Sequence, residues 1–434
     1  MFDTFRNAWK IPELRKKILY TLMVIVIFRL GCVITVPYIN ADALTLFASG
    51  TGNMLDYLNM MSGGALSQCA IFALGVGPYI NASIIMQLLT VAIPALERLS
   101  KEGEDGRRKL TRITRYVGGG IALAMAIGYY LIIRNNYGAV AYTTGWQGWF
   151  AAVVIVLTFT AGAQFITWLG EQIDAKGIGN GVSLLIFAGI ISRWSSVITA
   201  VKSLLTRAAS GEPQIYAFLP LFLVLALVVV VFVVILTNAE RRIPVQYAKR
   251  VVGRKMYGGQ ASHIPLKVNM SGVMPIIFAS ALVSIPNMIG SFINFDAAAH
   301  PFWASFFQVF NYRSFLYAVI YLLLIVAFNY FYVAIQYNPV EIANNLRKNN
   351  GAIPGIRPGK PTSDFITKSL SKITFIGAMF LGVVAILPII LGNVTGTNIQ
   401  LGGTSLLIVV GVALDTGRSM ESYMLMRHHK GFLE

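Results

Sequence analysis

Apolar runs about twenty residues long follow one another along this chain, separated by short polar segments rich in Lys and Arg. Ten runs stand out: Ile18–Val36, Ala70–Ile93, Ile113–Ile133, Phe150–Leu169, Val182–Val201, Ile215–Leu236, Val273–Ile289, Phe315–Ile335, Ile373–Leu391 and Leu406–Met426. About 20 apolar residues span the hydrocarbon core of a bilayer as a helix. Backbone groups facing lipid must be paired internally, and these runs are too long for barrel strands, so the pattern predicts helices. An even number of spans puts both ends of the chain on one side. One stretch breaks the pattern. LNMMSGGALSQ, Leu58–Gln68, is apolar in its first half and is interrupted by Ser62, Gly63 and Gly64 just ahead of the second run. It is expected to enter the membrane and stop.

Composition sharpens this. Of 434 residues only 12% are charged and 56% are hydrophobic, with a mean hydropathy of +0.66. Soluble domains carry about 25% charged residues. The chain is therefore read as an all-α polytopic membrane protein, whose length counts spans rather than soluble cores. Cys32 and Cys69 lie in or beside apolar runs without metal-ligand spacing, and are expected to be small core residues. The basic opening MFDTFRNAWKIPELRKK leads into a full-length run with no small-residue cleavage site after it, so no signal or transit peptide is expected.

Charge sets the orientation. Of the 35 Lys and Arg, 29 fall in the N-terminal segment, in the last run and its tail, and in or beside the connections after runs 2, 4, 6 and 8; five fall on the opposite side, and Arg29 lies inside run 1. Basic residues mark the cytoplasmic side, so both termini and those connections are expected to be cytoplasmic. The net charge of +17 is mostly this bias. Arg193, Lys202 and Arg207, near the connection between runs 5 and 6, run against it.

Topology and attraction to anionic lipid explain most basic loops, but two loops carry more. Ala239–Asn269 is too long for a tether; Ile243, Val245 and Tyr247 alternate with Pro244, Gln246 and Ala248, and Gly253, Gly258 and Gly259 offer turns. A hairpin-like arm is expected. Asn349–Thr362 holds three prolines and three glycines around Arg357, which predicts an ordered, non-helical tip. Long loops with fixed turns and exposed cations suit a large anionic or protein partner, such as ribosomal RNA or a soluble motor.

Inside the runs, charge is scarce. An ionised side chain at the bilayer centre costs roughly 2.5–3.5 kcal/mol on insertion scales. Arg29 stands in run 1, and Asp415 and Arg418 stand at i, i+3 in run 10, where they can neutralise each other. Glu171 and Asp174 close run 4, and His263, His300, His428 and His429 all lie outside the runs. An intramembrane protease or metal transporter is therefore disfavoured. No G-x-x-x-x-G-K-[ST] phosphate loop occurs, and neither an enzyme nor a cofactor is expected. What the runs do hold is isoleucine at helical spacing: Ile80 with Ile84, Ile186 with Ile190, then Ile276, Ile277 and Ile408. Pairs at i, i+4 share one helix face. Periodicity leaves open whether that face meets lipid, packs inside, or forms a dry constriction that excludes ions.

SGGALSQCAIFALGVGPYINASIIMQLL (Ser62–Leu89), GIGNGVSLLIFAGI (Gly177–Ile190), NMSGVMPIIFAS (Asn269–Ser280), IPGIRPGKPT (Ile353–Thr362) and GGTSLLIVVGVALD (Gly402–Asp415) resemble the SecY family, the channel-forming subunits of the bacterial Sec protein translocase. The resemblance runs over essentially the whole chain, in order. It implies a plasma-membrane protein of ten transmembrane helices in two inverted, pseudo-symmetric five-helix halves, residues 1–205 and 206–434, hinged at the external connection between spans 5 and 6. Cytoplasmic arms would occupy 238–268 and 337–372. A short re-entrant plug helix would lie at about 54–68 and include Leu58, Met60, Met61, Ser62, Gly63, Gly64 and Leu66. Ten helical residues rise only about 15 Å, half the hydrocarbon core. Ile80, Ile84, Ile186, Ile190, Ile277 and Ile408 match the family's pore ring.

The resemblance further implies that unfolded preproteins pass through the centre. Signal sequences and transmembrane segments would leave sideways into lipid between spans 2 and 7, with spans 3 and 8 adjoining. SecE would clamp the halves, SecG would be peripheral, and the SecA ATPase or the ribosome would dock on the arms. Arg357 matches the arginine that SecA engagement needs, with Arg254, Arg250, Lys255 and Lys360 as further docking candidates. The short terminal stretch RHHKGFLE makes tail-mediated contacts doubtful. The alternative, a secondary transporter of a small solute, would need a polar site at mid-depth, and the runs offer none.

Overall fold

The apolar runs fold as helices, and where each helix ends depends less on hydrophobicity than on proline, glycine and charge. The computed structural model describes residues 6, 8–40, 59, 62–136, 138–192, 198, 201–202, 205–206, 214–247, 250–252, 255–257, 261–292, 301–310, 314–395 and 403–430. Helix α1 is Pro12–Gly31, with its proline in the first turn, where a missing N–H costs nothing. The second run, expected to be helical from Ala70, is helical only in its later part. Residues 70–76 are turns, and α2, Gly77–Ala92, starts at Gly77 with Pro78 in its first turn. Gly75 takes φ +55°, a left-handed conformation that stops a helix from running through it. The turns stay paired by borrowing backbone partners from the segment after α1. Val36 N–H donates to Cys69 O at 3.0 Å and Ile71 N–H to Ile34 O at 2.9 Å. Pro94 ends α2, and α3, Pro94–Lys101, departs at 101°.

Helix α4, Glu104–Asn136, begins nine residues before its apolar run. Its polar first turns are helped by an Arg108–Glu104 pair one turn apart, at 2.9 Å. Then follow α5, Gly145–Lys176; α6, Gly181–Ser192; and α7, Gln214–Asn238. After strands β1 (Glu240–Tyr247), β2 (Arg250–Val252), β3 (Lys255–Tyr257) and β4 (Ala261–Lys267) come α8, Met274–Phe292; α9, Pro301–Val309; and α10, Phe315–Gln336. Helix α11, Pro339–Lys348, is capped by the Asn338 side chain, which accepts from the Val340 and Glu341 amides. Strand β5 (Gly351–Ala352), α12 (Lys360–Thr395) and α13 (Gly403–Lys430) complete the chain.

A helix thus lies on each of the ten expected runs. Among the described residues, Glu104–Asn135, Gly145–Lys176, Phe315–Lys348 and Lys360–Leu387 are long and apolar enough to cross a membrane, and the bent α2–α3 pair is a fifth candidate. The described parts of α6, α7 and α8 that are apolar are shorter. Helix α1 carries Arg15, Lys16 and Lys17 near its start and Arg29 near its end, and α13 carries Asp415, Arg418 and Glu421.

The helices before and after the connection between α6 and α7 meet at several places, among them Met420 and Met424 of the last helix against Leu14 and Ile18 of α1. Helix α8 packs on α2 and α4, and α13 packs on α6. One large apolar cluster fills the space between them, drawing on α1, α2, α5, α6, α7, α8, α10, α12 and α13. A second joins α4 and α5 to the 62–76 turns through Leu66, Cys69, Tyr129, Ile155 and Phe159. Cys32 and Cys69 are free and buried.

The basic loops build a body of their own. Strands β1 and β4 form the expected antiparallel hairpin, in register from Glu240 opposite Lys267 to Gln246 opposite Ala261. Ile243 and Val245 face inward while Pro244 and Gln246 are exposed, the alternation of a half-buried strand. The second loop is not a separate arm: β5 pairs with the free edge of β1, Gln246 opposite Ala352 and Tyr247 opposite Gly351. Ile243, Val245 and Leu266 pack with Leu346, Ile353, Ile366, Leu370 and Ile373 in a single small core. The non-helical tip is also shorter than expected. Lys360 already opens α12, and Pro361 sits in the first turn, where it is tolerated.

Candidate functional site

The six isoleucines come from four helices and converge. Ile80 and Ile84 are one turn apart on α2, Ile186 and Ile190 on α6, with Ile277 on α8 and Ile408 on α13. Each is at most 7% exposed, and all six belong to the one large cluster. Of their immediate neighbours, Ile85 is 41% exposed and Ile191 43%, while Leu185, Ile276 and Leu407 are buried in the same cluster. These helices are among those through which the two parts of the chain touch, α2 with α8 and α6 with α13. The seam between the parts is therefore apolar, with aliphatic side chains at these six positions. Such side chains offer no hydrogen bond or charge to a passing group, and a constriction lined by them excludes ions by remaining dry.

The segment beside this cluster holds the described part of the interrupted stretch. Leu58, Met60 and Met61 lie outside the described residues. Residues 62–69 form successive turns, where a short helix was expected. Gly63 and Gly64 take φ +70° and +89°, which rules out continuing helix there. The turns are knit locally. Ser62 Oγ donates to Asn59 O at 3.1 Å and accepts from the Leu66 amide at 3.2 Å; Asn59 Oδ1 accepts from the Ser67 amide at 3.0 Å. Ala65 belongs to the cluster containing the isoleucines, and Leu66 to the α4–α5 cluster. Two residues that hold this segment escaped the sequence reading. Tyr129 on α4 donates its hydroxyl to Leu66 O. Arg29 Nη1 donates to Gly63 O at 3.2 Å and to Ser192 Oγ at 2.8 Å. An arginine inside an apolar run was a signal; its partner could not be named from sequence.

At the basic end, Arg357 and Lys360 are exposed. The Arg357 carbonyl accepts from Thr362 Oγ1 at 2.8 Å, which ties the tip to the start of α12. Arg250 and Lys255 lie on the short β2–β3 ladder, opposite Tyr257 and Val252. Arg254 lies outside the described residues. The expected Asp415–Arg418 neutralisation is secondary. The two stand 3.9 Å apart, while Arg418 Nη2 donates to Thr237 O at 2.8 Å and Asn238 Oδ1 at 2.7 Å. The carbonyl end of α7 attracts a cation more closely than the exposed carboxylate does. Arg115 on α4 and Glu171 on α5 form an ion pair that fastens those helices at their basic end. Among the described residues no group of three or more His, Cys, Asp or Glu could hold a metal ion.

Known proteins match this arrangement. The family model described as SecY matches residues 70–417. "Protein translocase subunit SecY" of Thermotoga maritima is 41% identical over 444 residues, covering 100% of this chain and 98% of that protein. The solved structure described as "The structure of a protein conducting channel" superposes with a TM-score of 0.65 at 18% identity, covering 96% of both chains. A second, "The plug domain of the SecY protein stablizes the closed state of the translocation channel and maintains a membrane seal", gives a TM-score of 0.63 at 18% identity and the same coverage. The family match covers all six isoleucines and the basic arms, and the similarity to the Thermotoga protein runs from end to end; this chain belongs to the SecY family.

Proposed function

We propose that this chain is the central protein-conducting channel of a bacterial Sec translocon, a non-catalytic pore that passes unfolded preproteins and releases signal sequences and transmembrane segments sideways into lipid. One observation carries the reading: six isoleucines from four helices, on both sides of the α6–α7 connection, are all buried in one apolar cluster. A translocating chain presents every kind of side chain. A collar that grips none of them must be aliphatic, deformable and dry, and polar groups would bind some passengers and admit ions. Ile80, Ile84, Ile186, Ile190, Ile277 and Ile408 are assigned to that collar. The α2–α8 contact is assigned to the sideways exit. An emerging signal helix gains about 0.8 kcal/mol per buried CH₂ on entering lipid.

In this reading the chain crosses the membrane ten times, as two inverted five-helix halves with both termini cytoplasmic. The segment at about 54–68 plugs the outer side. The shared body of both arms is a docking platform for SecA or the ribosome, with Arg357 and Lys360 at its exposed tip. SecE and SecG complete the complex. A small-solute transporter would need a polar site at mid-depth, and the apolar seam speaks against one. Reconstitution with SecE and SecA in lipid vesicles tests the reading: ATP-dependent uptake of a preprotein is expected, and uptake of small solutes without preprotein transport would refute it.

A further inference from the structure

Most of the 62–69 turn segment is held by its own backbone and by apolar packing. Among the described residues, two side chains reach it from outside with strong polar contacts, at opposite ends, and Ser192 Oγ adds a longer one to Gly63 O at 3.5 Å. At the far end Tyr129, buried on α4, donates to Leu66 O and lies 3.3 Å from Cys69 Sγ, anchoring the segment where it joins the turns before α2. At the near end stands Arg29, in the last turn of α1. Its Nη1 bridges Gly63 O at 3.2 Å and Ser192 Oγ at 2.8 Å. Ser192 donates its own hydroxyl hydrogen to Gly189 O at 2.6 Å, which leaves its lone pairs turned to the guanidinium. One cation therefore ties the Ser62–Gly63 turn to α6, the helix that carries Ile186 and Ile190.

The fit is close. A Cβ at Gly63 would lie 2.8 Å from Arg29 Nη1 and 3.1 Å from Gly189 Cα. Cys32 Sγ adds a weak contact to Ser62 O at 3.6 Å. Arg29 is half-buried, and no carboxylate among the described residues pairs with it. An ionisable group in an apolar run is retained where it has a task. Here its described partners are a carbonyl of the interrupted segment and a hydroxyl of a collar helix.

We propose that Arg29 is a positioning residue that latches the 62–69 segment shut, with Ser192 as its keeper and the Leu66–Cys69 end as the pivot. The proposal rests on the channel reading and deepens it. When α6 shifts away from α1, Ser192 and Gly63 O are drawn out of line with one guanidinium, and the segment is free to swing about Tyr129. Widening of the collar and release of the segment are thereby coupled through a single side chain. Arginine suits the task because its planar fork holds two acceptors at fixed angles, which a lysine ammonium does not.

The test uses the full chain reconstituted with its partner subunits in lipid vesicles. Two readouts are taken: resting ion leak without preprotein, and uptake of a preprotein with a charge placed in its signal sequence, relative to the intact preprotein. Arg29→Gln is expected to raise both the leak and the uptake of the defective preprotein about tenfold. Ser192→Ala, a mild change at a helix end, is expected to move both in the same direction by a few-fold, and Arg29→Lys to fall between Arg29→Gln and the parent protein. Should Ser192→Ala and Arg29→Lys both match the parent protein in leak and selectivity, the latch is refuted. It is also refuted if Arg29→Gln depresses uptake of both preproteins equally. If the parent protein itself takes up no intact preprotein, the failure belongs to the channel reading instead.

Discussion

The collar and the platform are both rich in isoleucine, yet they are built in opposite ways. In the platform Ile243, Ile353, Ile366 and Ile373 pack beneath a sheet whose strands are joined by backbone hydrogen bonds, β1 to β4 on one edge and to β5 on the other. In the collar Ile80, Ile84, Ile186, Ile190, Ile277 and Ile408 sit on four separate helices. Each helix satisfies its own backbone, so no ladder ties one to the next. Separating platform elements breaks backbone hydrogen bonds, whereas the collar helices meet mainly through apolar contact. On the proposed channel reading, the same burial would serve as a fixed support in one place and as a seal that can open in the other.

The sharpest way to break that comparison is to remove bulk from the seal. Ile84→Gly combined with Ile277→Gly, on the two helices that touch, is expected to raise resting ion conductance of reconstituted vesicles about tenfold or more and to relax signal-sequence selectivity. A purely structural core would instead lose stability with no change in conductance. Next in size is Arg357→Glu at the platform tip. It is expected to cut ATP-driven preprotein uptake about tenfold through lost docking, measured beside a resting conductance equal to that of the parent protein. Ile353→Ala then probes the platform as a support. A cavity there costs about 2–4 kcal/mol, so the basic loops should become protease-sensitive at lower denaturant while the collar stays sealed. The smallest effect is expected of Glu171→Gln. It unpairs Arg115 at a partly exposed site, where such pairs contribute about 1 kcal/mol or less, and thermal unfolding should shift by a few degrees at most.

How much of this was legible in the sequence follows from what each feature depends on. That each apolar run would carry a helix was legible because lipid-length apolar runs leave few other structures available. The helix ends were not. Residues 70–76 are as apolar as a helix, and only the positive φ of Gly75 and the backbone bonds to residues 34–36 reveal turns. The β1–β4 hairpin was legible in the alternation at Ile243, Val245 and Tyr247. Its third strand was not, since β5 is two residues long and owes its place to pairing with a strand about a hundred residues earlier. Arg418 was assigned to its sequence neighbour Asp415, and that pair is present at 3.9 Å, but proximity along one helix could not show its shorter contacts. The carbonyl end of α7, remote in sequence, is the nearer partner. For the isoleucines, spacing gave the shared face but not its direction; burial on that face is a property of the whole bundle.

The central claim is that this seam is the path of the passenger. A preprotein carrying one cysteine can be stalled in the channel and offered a single cysteine at each of positions 80, 84, 186, 190, 277 and 408, with Ile85 and Ile191 replaced as outward-facing controls. Disulfide formation with the stalled chain at all six positions and at neither control is the predicted result. Crosslinks at the controls, with none at the six, would contradict the account.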